Sequence, residues 1–125
     1  MENSGKKVVL LGASNKPHRY SYMALHRLLD NGYDVIPVHP VIKEVDGVPV
    51  VKNIGEIPED KIHTVTLYIG SERVGELVDE IISLNPERII SNPGTGNENL
   101  KKKAIESGIE YIEGCTLVML SSGQF

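Results

Sequence analysis

Short apolar runs alternate along the chain with stretches in which apolar residues recur every three or four positions. The short runs are rich in Val and Ile, which is typical of buried strands in a parallel sheet, whereas the longer spacing is that of an amphipathic helix. The runs predict five strands, at residues 8–11, 33–38, 63–69, 87–91 and 109–112. Strands and helices therefore follow one another in the order typical of an α/β protein.

Three helices are predicted between these strands. The first covers residues 20–31, and the second runs from Ser71, a favourable N-cap residue, to a stop at residues 85–86. The third covers about residues 98–107. Its residues expected to face the core are Leu100, Ala104 and Ile105.

Shorter features are predicted in the remaining segments. Asp46 and Gly47, between two short apolar pieces, predict a tight β-hairpin within residues 44–50, and one helical turn is expected within residues 53–58. The tail from residue 115 to 125 is apolar in its middle part, so it is expected to be covered by the rest of the domain.

Short connections and right-handed crossovers between such elements give a parallel sheet with helices on both faces. The predicted fold class is therefore α/β, a Rossmann-like three-layer domain with a five-stranded, mostly parallel, doubly wound sheet in which the first strand is central. Because the length suits one domain and no repeat or linker is present, residues 1–125 are expected to form a single domain.

The segment after the first predicted strand has the features of a phosphate-binding loop. Gly12 permits a tight turn before the first helix, and the positive end of a helix dipole at the carboxyl edge of a sheet attracts anions. Ser14 and Ser21 add hydroxyl donors, while Lys16 and Arg19 add positive charge. The alternative is an ordinary turn, since only one glycine of the G-x-G-x-x-G dinucleotide pattern is present.

Ligands of open α/β sheets bind outside the carboxyl ends of the strands, where the strand order reverses. The loops at residues 12–20, 39–40, 69–71 and 92–94 are expected to share that edge. His39 occupies the position where proteins that bind NAD have an acidic residue for the ribose hydroxyls, which disfavours NAD.

Composition and charge exclude several classes of function. The net charge is −4, although residues 1–29 carry +4, and there is no Trp and only one Phe, so nucleic-acid binding is not expected. No apolar run approaches the ~20 residues of a membrane helix, and the single Cys115 rules out an internal disulfide. We expect a cytoplasmic location, no membrane association, no metal site and no catalytic residues.

Two motifs and a late cysteine carry a resemblance to a known family: the motifs are Leu11–Pro17 and Val35–Pro40, and the cysteine is Cys115. In these the chain resembles the single-domain CoA-binding proteins and is similar to the CoA-binding portion of the succinyl-CoA synthetase alpha subunit. The resemblance implies coenzyme A or an acyl-CoA as ligand. The positions that match the family's binding residues are Gly12, Ala13, Ser14, Lys16, Arg19, Ser21, His39, Pro40, Ile69 and Asn92.

The resemblance implies CoA binding rather than ligase activity, because 125 residues leave no room for the synthetases' second domain with its phosphorylated histidine. The residues agree for a separate reason, because CoA carries a 3′-phosphate as well as a diphosphate, and its adenosine end requires cations where NAD requires a carboxylate. Lys16, Arg19 and His39 fit that requirement. The alternatives are an NADP-dependent oxidoreductase, a nucleotide-binding regulatory domain and a partner subunit of a ligase. A homo-oligomer and a protein partner that uses acyl-CoA also remain open.

Overall fold

The computed structural model describes residues 5–58 and 61–125. In chain order its elements are β1 (Lys7–Leu11), α1 (Tyr20–Asp30), β2 (Asp34–Val38), β3 (Glu44–Val45), β4 (Val48–Pro49), a 3₁₀ turn (Ile54–Glu56), β5 (Ile62–Leu67), α2 (Ser71–Glu76), α3 (Val78–Ser83), β6 (Arg88–Ser91), α4 (Glu98–Glu106), β7 (Glu110–Glu113) and α5 (Thr116–Ser121).

Five of the strands form one parallel sheet in the order β2-β1-β5-β6-β7. This confirms the predicted α/β, Rossmann-like fold. The expectation that the first strand is central is wrong, because β1 has a neighbour on each side but β5 occupies the middle. On one side of β1 lies only β2, and on the other side lie β5, β6 and β7. The strand order therefore reverses between β1 and β5.

Two helical layers cover the sheet. Successive side chains of a strand point to opposite faces, so Val8 and Leu10 pack towards α1 and α5, while Val9 and Leu11 pack towards α2, α3 and α4. All four side chains are buried. Because both faces are covered, β1 reads in the sequence as a continuous apolar run rather than an alternating one.

The second predicted helix is interrupted. It consists of α2 and α3, which meet at Leu77, whose φ of −113° and ψ of 10° are not helical. The expectation that Ser71 caps this helix is also wrong, since Ser71 is its first helical residue and Gly70 occupies the N-cap position without a side-chain cap. Val74 of α2 and Ile81 of α3 are nevertheless both buried, so the two helices together present an apolar face to the core.

Helix α4 buries a narrower face than expected. Leu100 and Ala104 are buried, but Ile105 is 61% exposed, so its predicted inward position is wrong. Leu100 and Ala104 are one turn apart, whereas Ile105 lies about 140° around the helix from Leu100. Asn97 caps this helix by accepting a hydrogen bond from the Leu100 amide at 3.1 Å.

The predicted hairpin is present as β3 and β4, joined by Asp46 (φ 48°) and Gly47 (φ 86°). Two successive residues with positive φ are the requirement of a type I′ turn. The Asp46 carboxylate accepts hydrogen bonds from the Tyr22 hydroxyl and from His26 Nε2, and these bonds lower the Asp46 pKa. The hairpin is thus attached to α1.

The apolar tail forms α5, whose Leu117 and Leu120 pack against the α1 side of the core. Phe125 packs edge-on against Tyr33, with ring centroids 5.1 Å apart, and the Arg88 guanidinium lies 4.3 Å from the Phe125 ring centroid. The tail is therefore covered, as expected. Within the described residues, no helix is both long enough and apolar enough to cross a membrane.

Candidate functional site

A crevice of about 400 Å³ opens at the carboxyl ends of β1, β2 and β5, where the strand order reverses. This is the edge at which open α/β sheets bind ligands. Its lining residues are Leu11, Gly12, Val38, His39, Pro40, Lys52, Asn53, Ile54, Ile69, Arg73, Leu77 and Glu80. A larger cleft of about 680 Å³ includes Lys61 and Asn85, which precede β5 and β6 and so lie towards the opposite edge. The smaller crevice is therefore the better candidate.

Gly12 lines this crevice, at a position that requires a glycine. Its φ of +102° is unfavourable for residues with a side chain, and an added Cβ would lie 2.7 Å from the Tyr68 carbonyl oxygen and 2.8 Å from Ile69 Cγ2. The amides of Gly12 and Ala13 both donate to the Val38 carbonyl oxygen, at 3.1 and 3.0 Å. The turn after β1 is thus held between the ends of β2 and β5.

The segment from Ser14 to Ser21 carries the predicted hydroxyls and cations. The Lys16 amide donates to Ser14 Oγ at 3.1 Å, and the Arg19 amide donates to the Lys16 carbonyl oxygen at 3.0 Å, which forms a compact turn before α1. Lys16 and Arg19 are exposed and form no ion pair with another described residue, whereas Ser21 is buried. The first turn of α1 contains no acidic residue, so its positive end is not neutralised locally.

His39 lines the crevice directly after the end of β2. Its Nδ1 accepts hydrogen bonds from the amides of Val41 and Ile42, both at 3.0 Å, and its own amide donates to the Val51 carbonyl oxygen at 3.0 Å. An Nδ1 that accepts carries no proton, so a neutral His39 ring carries its proton on Nε2. The end of β2 therefore offers a hydrogen-bond donor where a carboxylate would offer only acceptors.

Asn92 is placed differently from the other predicted residues. Its side chain is 3% exposed and donates to Thr66 Oγ1 at 2.7 Å and to the Leu67 carbonyl oxygen at 2.8 Å. Its Oδ1 accepts from the Thr116 amide at 2.8 Å. Asn92 thus joins β5, β6 and the start of α5, and all three bonds are made within the protein.

The structure divides the ten predicted residues into three groups. Gly12, His39, Pro40 and Ile69 line the crevice. Ala13, Ser14, Lys16, Arg19 and Ser21 lie on the adjoining segment between β1 and the first turn of α1. Asn92 lines a separate cleft of about 490 Å³ near the ends of β6 and β7. Ligand contact by any of the ten stays a prediction.

Sequence reasoning missed two cations of the crevice. Arg73 lies in the first turn of α2, just after the carboxyl end of β5, and a basic residue in that position was a signal that could have been used. No sequence pattern pointed to Lys52. Its position at the crevice depends on a parallel bridge between Val38 and the preceding residue, Val51. The bridge is supported by the bond from the Val51 amide to the Pro37 carbonyl oxygen at 2.9 Å.

Tyr68 and Cys115 lie near the same edge. The Tyr68 hydroxyl is buried next to the hydroxyls of Thr116 and Thr66 without a well-formed hydrogen bond to either. Burial raises the pKa of Tyr68 to about 12, so the phenol stays neutral at physiological pH. Cys115 is a half-buried free thiol that precedes α5.

Comparison with known proteins supplies a family. The family model for a CoA binding domain matches residues 6–121. The Uncharacterized protein YneT of Bacillus subtilis (strain 168) is 30% identical over 103 residues, which cover 82% of this chain and 76% of that protein.

Solved structures have the same fold over nearly the whole chain. A crystal structure of an uncharacterized protein is 43% identical with a TM-score of 0.89, and the match covers 98% of this chain and 100% of that one. A hypothetical protein from Pyrococcus horikoshii OT3 is 33% identical with a TM-score of 0.86, covering 94% and 82% of the two chains.

Proposed function

Because the chain belongs to the CoA-binding domain family, we propose that it binds coenzyme A or an acyl-CoA in the crevice and along the adjoining β1–α1 segment. The observation that carries the proposal is the position of the crevice. It lies at the carboxyl ends of β1 and β5, the point of strand-order reversal, and the most positively charged predicted loop adjoins it.

We assign the adenosine of CoA to the crevice and its diphosphate to the β1–α1 segment. Apolar side chains, among them Ile54, Ile69 and Leu77, line the crevice and suit the faces of an adenine ring. Lys16, Arg19 and the positive end of α1 suit the two charges of the diphosphate.

The end of β2 supports CoA over NAD as the ligand. NAD-binding sites place a carboxylate there to accept hydrogen bonds from the ribose hydroxyls. Here Nε2 of His39 is a donor, and a donor suits the oxygens of a phosphorylated ribose. NADP also has a phosphorylated ribose, so an NADP-dependent oxidoreductase remains the second candidate.

We further propose that the protein holds CoA without chemistry of its own. None of the lining residues that the structure describes is a Ser, Thr or Cys, so this described lining offers no hydroxyl or thiol nucleophile. Cys115 lies outside this lining. A cytoplasmic location stays a prediction.

Native mass spectrometry of the purified protein and calorimetry with CoA, acetyl-CoA, NADPH and NADH test this function. We expect a mass increment of CoA or an acyl-CoA, or saturable binding of CoA that is tighter than binding of either nicotinamide cofactor. A copurified nicotinamide cofactor would contradict the proposal. So would the absence of CoA binding up to about 1 mM ligand, a concentration that detects binding free energies as weak as about −4 kcal/mol.

A further inference from the structure

Two cations line the crevice from different walls. Lys52 lies just after the Val38–Val51 bridge, on the wall that follows β2, and Arg73 lies on α2, which follows β5. We propose that Lys52 and Arg73 form a clamp that binds a phosphate on the ribose of the adenosine ligand. The clamp rests on the proposed function, and it separates recognition of this phosphate from recognition of the diphosphate.

The Lys52 wall is held in place by backbone bonds. The His39 amide donates to the Val51 carbonyl oxygen at 3.0 Å, and the Val51 amide donates to the Pro37 carbonyl oxygen at 2.9 Å. These bonds fix the main chain next to Lys52 at the end of β2. Since the adenosine ribose of a nucleotide lies beside the end of the second strand in doubly wound sheets, Lys52 stands close to that ribose.

Neither cation is committed to a strong partner. Arg73 Nη1 lies 3.4 Å from Glu76 Oε1, with both side chains more than half exposed, and such a surface pair contributes little. Lys52 makes no ion pair with any residue in the described ranges 5–58 and 61–125. Among the described residues that line the crevice, Glu80 is the only carboxylate, so two lining cations exceed it in charge.

A dianionic phosphate supplies the charge that this imbalance attracts. Arg73 can present two parallel N–H donors to phosphate oxygens, Lys52 acts as a compact point charge, and His39 Nε2 adds a further donor. The diphosphate is served by a different cation pair, Lys16 and Arg19, on the β1–α1 segment. Losing the clamp should therefore change the preference between phosphorylated and unphosphorylated ribose, and losing the other pair should not.

Calorimetry with CoA and dephospho-CoA, which lacks only the 3′-phosphate, tests the clamp on the full chain. Lys52→Ala and Arg73→Gln should each weaken CoA binding about tenfold or more and change dephospho-CoA binding by less than about threefold. Lys102→Ala, which removes an exposed cation outside the crevice, should change neither ligand. Glu76→Gln removes the partner of Arg73 and should leave CoA binding equal or tighter.

Binding of two smaller ligands to the same variants distinguishes a site for the ribose of CoA from a site for the ribose of NADP. Adenosine 3′,5′-bisphosphate carries the ribose phosphate of CoA, and adenosine 2′,5′-bisphosphate carries that of NADP. We expect the 3′ compound to bind better and to lose more affinity in Arg73→Gln.

If both variants weaken CoA and dephospho-CoA equally, or neither variant weakens CoA, the clamp is wrong and CoA binding itself stands. If the parent protein binds neither CoA nor dephospho-CoA, both proposals fail. Circular dichroism and thermal melting confirm that each variant is folded.

Discussion

Gly12 provides the sharpest test of the turn after β1, and the perturbation is Gly12→Ala. The variant should lose stability for two separable reasons. A residue with a side chain at a φ of +102° is strained by roughly 1–2 kcal/mol. The new Cβ would also lie 2.7 Å from the Tyr68 carbonyl oxygen, a backbone atom that no rotamer change can move, and such overpacking costs about 1–3 kcal/mol.

The matched control is Gly108→Ala. Gly108 also has a positive φ, +74°, but nothing lies within 4 Å of an added Cβ, so this variant carries only the conformational strain. It follows α4 and precedes β7, which places it away from the crevice. Gly12→Ala should therefore be less stable than Gly108→Ala by about 1–3 kcal/mol.

Urea denaturation measures both variants, with stability taken from the midpoint at an unchanged slope. Calorimetry with CoA measures the site. Because relief of the clash moves the turn away from Tyr68 and Ile69, Gly12→Ala should also weaken CoA binding about tenfold or more, and Gly108→Ala should not change it. If Gly12→Ala loses no more stability than Gly108→Ala and keeps full CoA affinity, the assigned role of this turn is wrong.

Further predictions concern the adjoining residues. Lys16→Ala and Arg19→Ala should each weaken CoA and dephospho-CoA alike, by about tenfold, because they serve the shared diphosphate; a selective loss of CoA binding would contradict this assignment. His39→Asn should retain CoA affinity within about threefold, because an Asn side chain accepts bonds from following amides and still offers a donor, whereas His39→Phe should lose it in the same calorimetric assay. Cys115→Ser should bind CoA with the affinity of the parent, because Cys115 is expected to take no part in binding or chemistry. A mixed disulfide with CoA that mass spectrometry detects in the parent but not in the variant would contradict this expectation.

The sequence alone was sufficient to predict features that depend on neighbouring residues. The strand run at Val8–Leu11, the turn at Gly12 and the hairpin at Asp46–Gly47 are local patterns, and the structure confirms them. The position of His39 at the end of β2 was also predictable, because a strand's end can be read from its apolar run. Local patterns succeed because backbone propensity and side-chain periodicity act within a few residues.

The tertiary structure decided which distant groups meet. Lys52 enters the crevice only because Val51 pairs with Val38, and Asn92 is used internally because Thr66 and Thr116 are brought beside it. The break between α2 and α3 at Leu77 could not be predicted either, because the helical spacing of apolar residues continues through it. The apolar pattern predicts which face of an element is buried. Strand order and side-chain partners depend instead on packing between elements that are far apart in the chain. The charge pattern of the site was therefore incomplete until the fold placed Lys52 and Arg73 on the same crevice.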